Sequence, residues 1–395
     1  MFVGEKLTDI RLLHGYSRNE LGNLLGVSEQ SVWQYENNYI SPKLEVVNKL
    51  KAIFNVKTKY FYTKESFKTK FDAGALAFRS KGINSIAKTK YEAAHLEFIE
   101  GLLNIFEGYI TYPPNNLISL RDYSIKYLNE NTGQMDRKAM IKHLAEHARE
   151  FLGVGENNQK LLFALEKNGA FVFEKSLGAD VDAYSAWSKS DKPMILLGKF
   201  NKSAVRRNLD LAHELGHLLL HYKMDLSDLS KSEYKEKEED AYDFASYFLM
   251  PEEEFKKDMM SIKKLSNPNS YIDLKEKWSV SIAAMAYYAR RLGYLTYQQH
   301  RYFYASMNRQ NYNQAEPLDD KIKIIRPGKV KSSLEFLMEN NILTLRKLME
   351  LTHYNETLIA KILGLDESFI RSYIEQPAYF DVSYISEKRE GYSPS

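Results

Sequence analysis

"LAHELGHLLLH" occupies residues 211–221, and "EEDAYDFASYFLMP" follows at 238–251. In a helix, residues four apart lie on one face. His213 and His217 therefore point the same way, at the spacing that lets two imidazoles bind one tetrahedral zinc. Glu214 sits beside them, in reach of a water that zinc would acidify to a pKa of about 7. The chemistry this implies is hydrolysis of a peptide or amide. Leu209, Ala212, Leu218 and Leu219 make the other faces apolar, so the helix is expected to be buried. Two buried histidines without partners would be costly. A third ligand is needed, and the histidine of the longer zinc pattern is missing, because position 223 is Lys223. A carboxylate downstream must supply it. The second stretch reads as a helix from about Lys235 to Leu249, closed by Pro251, and can close a His2Glu site with the fourth position left for water.

The two stretches together resemble the ImmA/IrrE metallopeptidase family, a zincin group. Its paired pattern is a HExxH helix and a second helix with Glu-x-x-Ala-x-x-Phe-Ala ending in Leu-Met-Pro, matched by Glu238, Ala241, Phe244 and Ala245. The resemblance covers about residues 160–310, including "LKEKWSVSIAAMAYYARRLGYLTYQQ". It implies zinc (Zn2+) as cofactor, His213, His217 and Glu238 as metal ligands, and Glu214 as general base. Asp240 is the next candidate ligand and Glu239 follows it. The family often has Arg five residues before the first histidine. Here Asn208 stands there, with Arg206 and Arg207 just ahead. Upstream runs "GAFVFEK", "AYSAWS" and "PMILLGK" read as strands. Zincins place an edge strand along the cleft, so Tyr184–Trp187 or Met194–Leu197 are expected to border it, where a substrate could add as another strand. His221, one turn past His217, is expected in the core or behind the ligands.

The N-terminal sixty residues carry a different pattern. Leu7, Ile10 and Leu13 form one stripe, ending at Gly15. Ser17 caps "RNELGNLLG" with Glu20 in capping-box position, Gly26 ends that helix, and Ser28 caps "EQSVWQYEN". A helix, a short turn with Gly and a second capped helix is helix-turn-helix spacing. The segment resembles the phage-repressor (Cro/C1-like, XRE) helix-turn-helix family over "SRNELGNLLGVSEQSVWQYENNYISPKLEVVNKLKAIF". The resemblance implies that the third helix enters the major groove of double-stranded DNA, with Glu29, Gln30, Ser31 and Gln34 facing base edges; Gln can pair bidentately with adenine. Val32 and Tyr35 are expected in the core. Arg18 and Lys43 are expected at phosphates.

The rest of the chain sets bounds. It has 395 residues, 44% hydrophobic and 27% charged, so two or three folded domains are expected. No apolar run reaches the roughly 20 residues that span a bilayer, and Glu5, Lys6 and Asp9 interrupt any signal-peptide core, so a cytoplasmic location and no membrane partner are expected. There is no cysteine, which excludes disulfides, thiolate ligands and a Cys nucleophile. Net charge is +3, but Lys57–Lys90 is rich in cations; the stretch can touch phosphates or be a solvated linker face. Residues 91–130 and 131–153 read as helices, and "MNRQNYNQAEPLDDK" as a polar linker. "LIAKILGLDESFIRSYI" (358–374) echoes residues 20–36, with Leu363, Gly364, Glu367 and Tyr373 at the positions of Leu25, Gly26, Glu29 and Tyr35; Phe369 replaces a small polar residue. The tail "SEKREGYSPS" is expected to be disordered.

The expected architecture is mainly α with a small β-sheet. It comprises a helix-turn-helix domain at 1–64, a helical linker region at 65–150, a zincin-like α+β metallopeptidase domain at 151–312, and a C-terminal helical domain and tail at 313–395. The expected function is DNA-binding transcriptional regulation by a chain whose zinc metalloprotease domain cleaves a regulatory protein, such as a repressor or antitoxin-like partner. The alternative is a transcription factor whose zincin-like domain senses or scaffolds without proteolysis. A homodimer is expected if the module reads palindromes.

Overall fold

The computed structural model describes residues 1–64, 77–78, 86–175, 183–198, 203–222, 224 and 229–374. Much of the basic stretch (Lys68, Lys70, Arg79 and Lys81), Lys223 and the tail at 386–395 lie outside the described residues. The chain is mostly helical around one small sheet.

The N-terminal helices are α1 (Gly4–Leu13), α2 (Arg18–Leu25), α3 (Glu29–Glu36) and α4 (Leu44–Phe54). Ser17 and Glu20 form the expected reciprocal capping box on α2, and Ser28 accepts from the Ser31 amide to cap α3. Gly26 ends α2 in the left-handed region at φ 74°. Gly22 lets the two helices close up: a Cβ there would stand 2.8 Å from the Val27 carbonyl oxygen. Leu7, Ile10, Leu13, Val32 and Tyr35 are buried, as their spacing predicts.

Strand β1 (Ala77–Phe78) is followed by α5 (Ile86–Glu107), α6 (Asn116–Asn131), α7 (Arg137–Leu152) and α8 (Leu161–Lys167). Strands β2 (Phe171–Lys175), β3 (Ala183–Trp187) and β4 (Pro193–Gly198) then complete a sheet of order β1-β3-β4-β2. β2 runs parallel to β4, while β3 is antiparallel to both β4 and β1. The three long strands are buried almost throughout, so they read as continuous apolar runs, as strands covered on both faces do. Period-two alternation sends Phe171, Phe173, Tyr184, Ala186, Met194 and Leu196 into one core. Val172, Ala183, Trp187, Ile195 and Leu197 enter the other.

The first core also contains α1–α4, α5 and the C-terminal helices α15 (Lys329–Glu339), α16 (Leu345–Thr352), α17 (Glu356–Leu363) and α18 (Glu367–Arg371). The second is built on α9 (Ala204–Leu220) and α10 (Lys231–Leu249), and includes residues of α6, α7 and α8. Helices α11 (Glu252–Ser261), α12 (Ile272–Trp278), α13 (Ile282–Arg291) and α14 (Tyr297–Arg309) complete that half. The carbonyls at the end of α10 are satisfied from outside the helix. Arg149 donates to the Phe248 oxygen at 2.8 Å, and Asn158 to the Leu249 oxygen at 2.9 Å. The polar stretch after α14 is pinned rather than loose, because the fully buried Lys275 ammonium donates to Glu316 at 2.9 Å and to Asp319 at 2.6 Å.

Candidate metal centre and nucleic-acid interface

Helix α9 is apolar enough on most faces to be buried along nearly its whole length. His213 is fully buried and His217 nearly so. Helix α10 begins at Lys231, four residues earlier than its apolar pattern suggests, because Ser230 and Glu233 form a capping box. It packs along α9, and Gly216 allows the approach: a Cβ there would lie 3.3 Å from the Ala241 Cα. This brings Glu238 over the two histidines. The His213 and His217 Nε2 atoms are 3.0 Å apart. Glu238 Oε2 stands 3.5 Å from His213 Nε2, and Oε1 stands 3.3 Å from His217 Nε2. A tetrahedral zinc with bonds of about 2.0–2.1 Å places its donors about 3.3–3.4 Å apart. The three side chains thus converge at the separations such an ion requires, and they form the one His/Cys/Asp/Glu group of this kind among the described residues. Burial works to raise the Glu238 carboxyl, but the two imidazoles outweigh it and hold it below its ordinary range.

Glu214 is buried next to this group, and its carboxylate accepts from Ser185 Oγ at 2.8 Å. Ser185 lies on β3, on the sheet face that alternation turns toward α9. Trp187, two residues on, donates Nε1–H to the Leu218 oxygen at 2.9 Å and fixes the strand against the helix. The expected Tyr184–Trp187 border is therefore the strand beside Glu214, whereas Met194–Leu197 lies one strand further in. The outer edge of β3 is paired with Ala77 and Phe78 of the same chain.

Asp240 does not join the three-residue group. Arg137 holds it at 2.7 Å, and its other neighbour is His221 Nε2 at 3.6 Å. His221 Nδ1 lies 3.1 Å from His217 Nδ1. Were His217 Nε2 to bind a metal, its Nδ1 would carry the proton and donate to His221, a contact that would orient the imidazole. Burial pushes His221 down to about 4, against the opposing pull of Asp240, so it stays neutral near pH 7. Glu239 is half-exposed and pairs with Lys235 at 3.7 Å. The residue patterns did not indicate Arg137 or Tyr242, and reached Ser185 only as part of the Tyr184–Trp187 stretch. Tyr242, one turn after Glu238, sets its ring 4.4 Å from that of His213; the i, i+4 spacing was the available signal.

In the N-terminal domain, Glu29 and Gln30 are exposed on α3, with Ser31 and Gln34 half-exposed beside them. Trp33 stacks on Tyr39, centroids 5.1 Å apart. Lys43 is exposed at the start of α4. Arg18 is engaged: it and Arg11 each hold the buried Glu36 carboxylate at 2.5 Å.

Residues 7–61 match the helix-turn-helix family, and residues 165–290 match the IrrE N-terminal-like domain, a peptidase family. The chain joins a helix-turn-helix domain to an IrrE-like peptidase-family domain. Among curated proteins it is similar to provisionally described HTH-type transcriptional regulatory proteins of Pyrococcus abyssi, 44% identical over 52 residues, and of Thermococcus kodakarensis, 46% identical over 52 residues. Each match covers 13% of this chain and 16% of the relative. Among the described residues no helix is long and apolar enough to cross a membrane.

Proposed function

We propose that this DNA-binding regulator is also a zinc-dependent endopeptidase that cleaves a regulatory protein, such as a repressor or antitoxin-like partner. The observation that carries the reading is the convergence of His213, His217 and Glu238, with Glu214 beside them. Zinc held by these three would polarise the scissile carbonyl and acidify water at the fourth position. Glu214 would take a proton from the attacking water and return it to the departing amine. Ser185 orients the carboxylate. In the DNA-binding domain, Glu29, Gln30, Ser31 and Gln34 read base edges in the major groove, while Lys43 and Arg18 meet phosphates; Arg18 does so while shared with Glu36. The chain acts in the cytoplasm, as a dimer where its operator is palindromic.

Metal analysis of protein purified without a metal-binding tag tests the centre. About one zinc per chain is expected, lost in His213→Ala and Glu238→Ala. Glu214→Gln should keep zinc and abolish cleavage of a co-expressed partner; unchanged cleavage removes Glu214 from the reaction. A second reading is a sensor or scaffold without turnover. The pairing of Ala77–Phe78 along β3 favours it, because that edge is the one a substrate would take. Zinc at full occupancy with no cleavage of any partner would select this reading.

A further inference from the structure

The stripe of α9 that faces away from the histidines runs through Ala204, Arg207, Asn208 and Leu211. It forms one wall of a cavity of about 430 Å³, closed on the other side by the segment 318–325 and by Ser279. Leu211, Leu318, Ile322 and Ile325 give it aliphatic walls. Three of its polar groups are built in, while Lys321 and Lys323 are exposed at its mouth. Arg207, Asn208 and Ser279 are each more than nine-tenths buried. Arg207 has Glu174 as its one partner among the described residues. Asn208 donates to the Ser279 carbonyl at 3.0 Å. Ser279 is held in the left-handed region at φ 51°, and its Oγ is buried with no hydrogen-bond partner among the described residues. A strained, buried polar residue of this kind clusters at ligand sites. Lys321 and Lys323 also line the cavity and pair with no acid among the described residues; Glu276 is the one carboxylate in the lining. Even with Arg207 balanced by Glu174, positive charge is in excess.

We propose that this cavity binds a small amphiphilic carboxylate, its aliphatic body between Leu211, Leu318, Ile322 and Ile325 and its carboxylate at Arg207, Lys321 and Lys323. An Arg fork suits a carboxylate geometrically, and the volume falls in the range of small-molecule pockets. The site is a small-molecule input on the reverse face of the helix that carries His213 and His217. It does not depend on peptide cleavage.

Calorimetry on the full chain tests it with octanoate, acetate and 1-octanol. Octanoate should bind one saturable site at least about tenfold more tightly than either, because acetate lacks the body and octanol the charge. Lys321→Ala with Lys323→Ala should weaken octanoate about tenfold, and Ile322→Trp should abolish binding by filling the space. All three positions are at the cavity mouth, and an unchanged melting temperature confirms that the variants fold. Equal binding of octanoate and octanol, no saturable octanoate binding, or full binding by Ile322→Trp would each overturn the proposal.

Discussion

Ser185→Ala isolates the part of the candidate centre that depends on the sheet. The hydroxyl donates to the Glu214 carboxylate at 2.8 Å, and both residues are almost fully buried. A hydrogen bond to a charged group contributes about 1.5–3 kcal/mol, and a buried carboxylate that loses a donor carries that loss in full. For a domain of this size each kcal/mol shifts the melting temperature by about 2–4 °C, so a fall of about 3–12 °C is expected in metal-free protein. If the same bond also aims Glu214 at its proton, its loss from the barrier lowers kcat/KM by about 10- to 150-fold. Ser185 touches none of the three proposed ligands, so zinc content should be unchanged. Ser185→Thr keeps the hydroxyl and should recover most of the loss. The assay is a double-mutant cycle with Glu214→Gln, read by thermal melting and by cleavage of the identified partner. An unchanged melting temperature with unchanged cleavage, or a loss that is the same whether position 214 is Glu or Gln, refutes the positioning argument.

The helix-turn-helix half supplies an acid-sensitive group. Burial, helped by the charge of Lys361, pushes His14 down to about 4. The unfolded chain binds a proton near pH 6.5 and the folded chain does not, so the stability is present above pH 6.5 and is lost as pH falls toward 4. The loss amounts to about 3 kcal/mol at most. His95 is fully buried and shifted the same way, so the urea midpoint should be compared between wild type and His14→Gln; parallel pH profiles would dismiss His14. Gln30→Ala with Gln34→Ala should weaken a selected operator by about 1–3 kcal/mol per lost bidentate contact while sparing bulk DNA. Equal losses on both DNAs, measured by titration at fixed salt, would show that these residues do not read bases. Gly364→Ala should destabilise the chain by at least about 1–2 kcal/mol from the left-handed conformation alone. The new Cβ would also meet the Glu174 carbonyl oxygen at 2.1 Å. A melting temperature equal to wild type would mean that the C-terminal loop does not sit on β2.

What could be read from residues was what is local. Caps at Ser17 and Ser28, the glycine at 26 and the i, i+4 histidines each act within one or two turns, and each appears as its spacing indicates. Glu238 was legible because its whole helix carries a pattern that pairs with the first. The start of that helix was misplaced because the apolar period begins after the capping box at Ser230 does its work. Ser185 was inside a stretch expected near the cleft, but its contact with Glu214 depends on strand register, which no short pattern fixes. Arg137 reaches Asp240 across more than a hundred residues, so nothing nearby announces it. Nothing near Lys275 in the sequence announces its partners. It is buried because two acids of a segment expected to be a loose linker close over it.

The sheet explains why the two recognised halves are not independent beads. One of its faces belongs to the core that holds α1–α5 and the C-terminal helices, and the other to the core of the histidine helix. The C-terminal segment whose sequence echoes residues 20–36 is the wedge in this arrangement. Its Gly364 turn abuts the Glu174 backbone on β2, and its Tyr354 bridges to Val56 behind α4. Phe369, at the position corresponding to Ser31 of α3, packs against Tyr373 and under Lys331. Glu174 in turn binds Arg207 of the histidine helix and Arg326 of the segment entering the C-terminal helices. On its other side Glu174 abuts a turn with no room for a Cβ. Close-packed interfaces of this kind respond as units rather than by gradual deformation. Among the described residues, the two halves thus meet at one strand held between two arginines and a glycine turn.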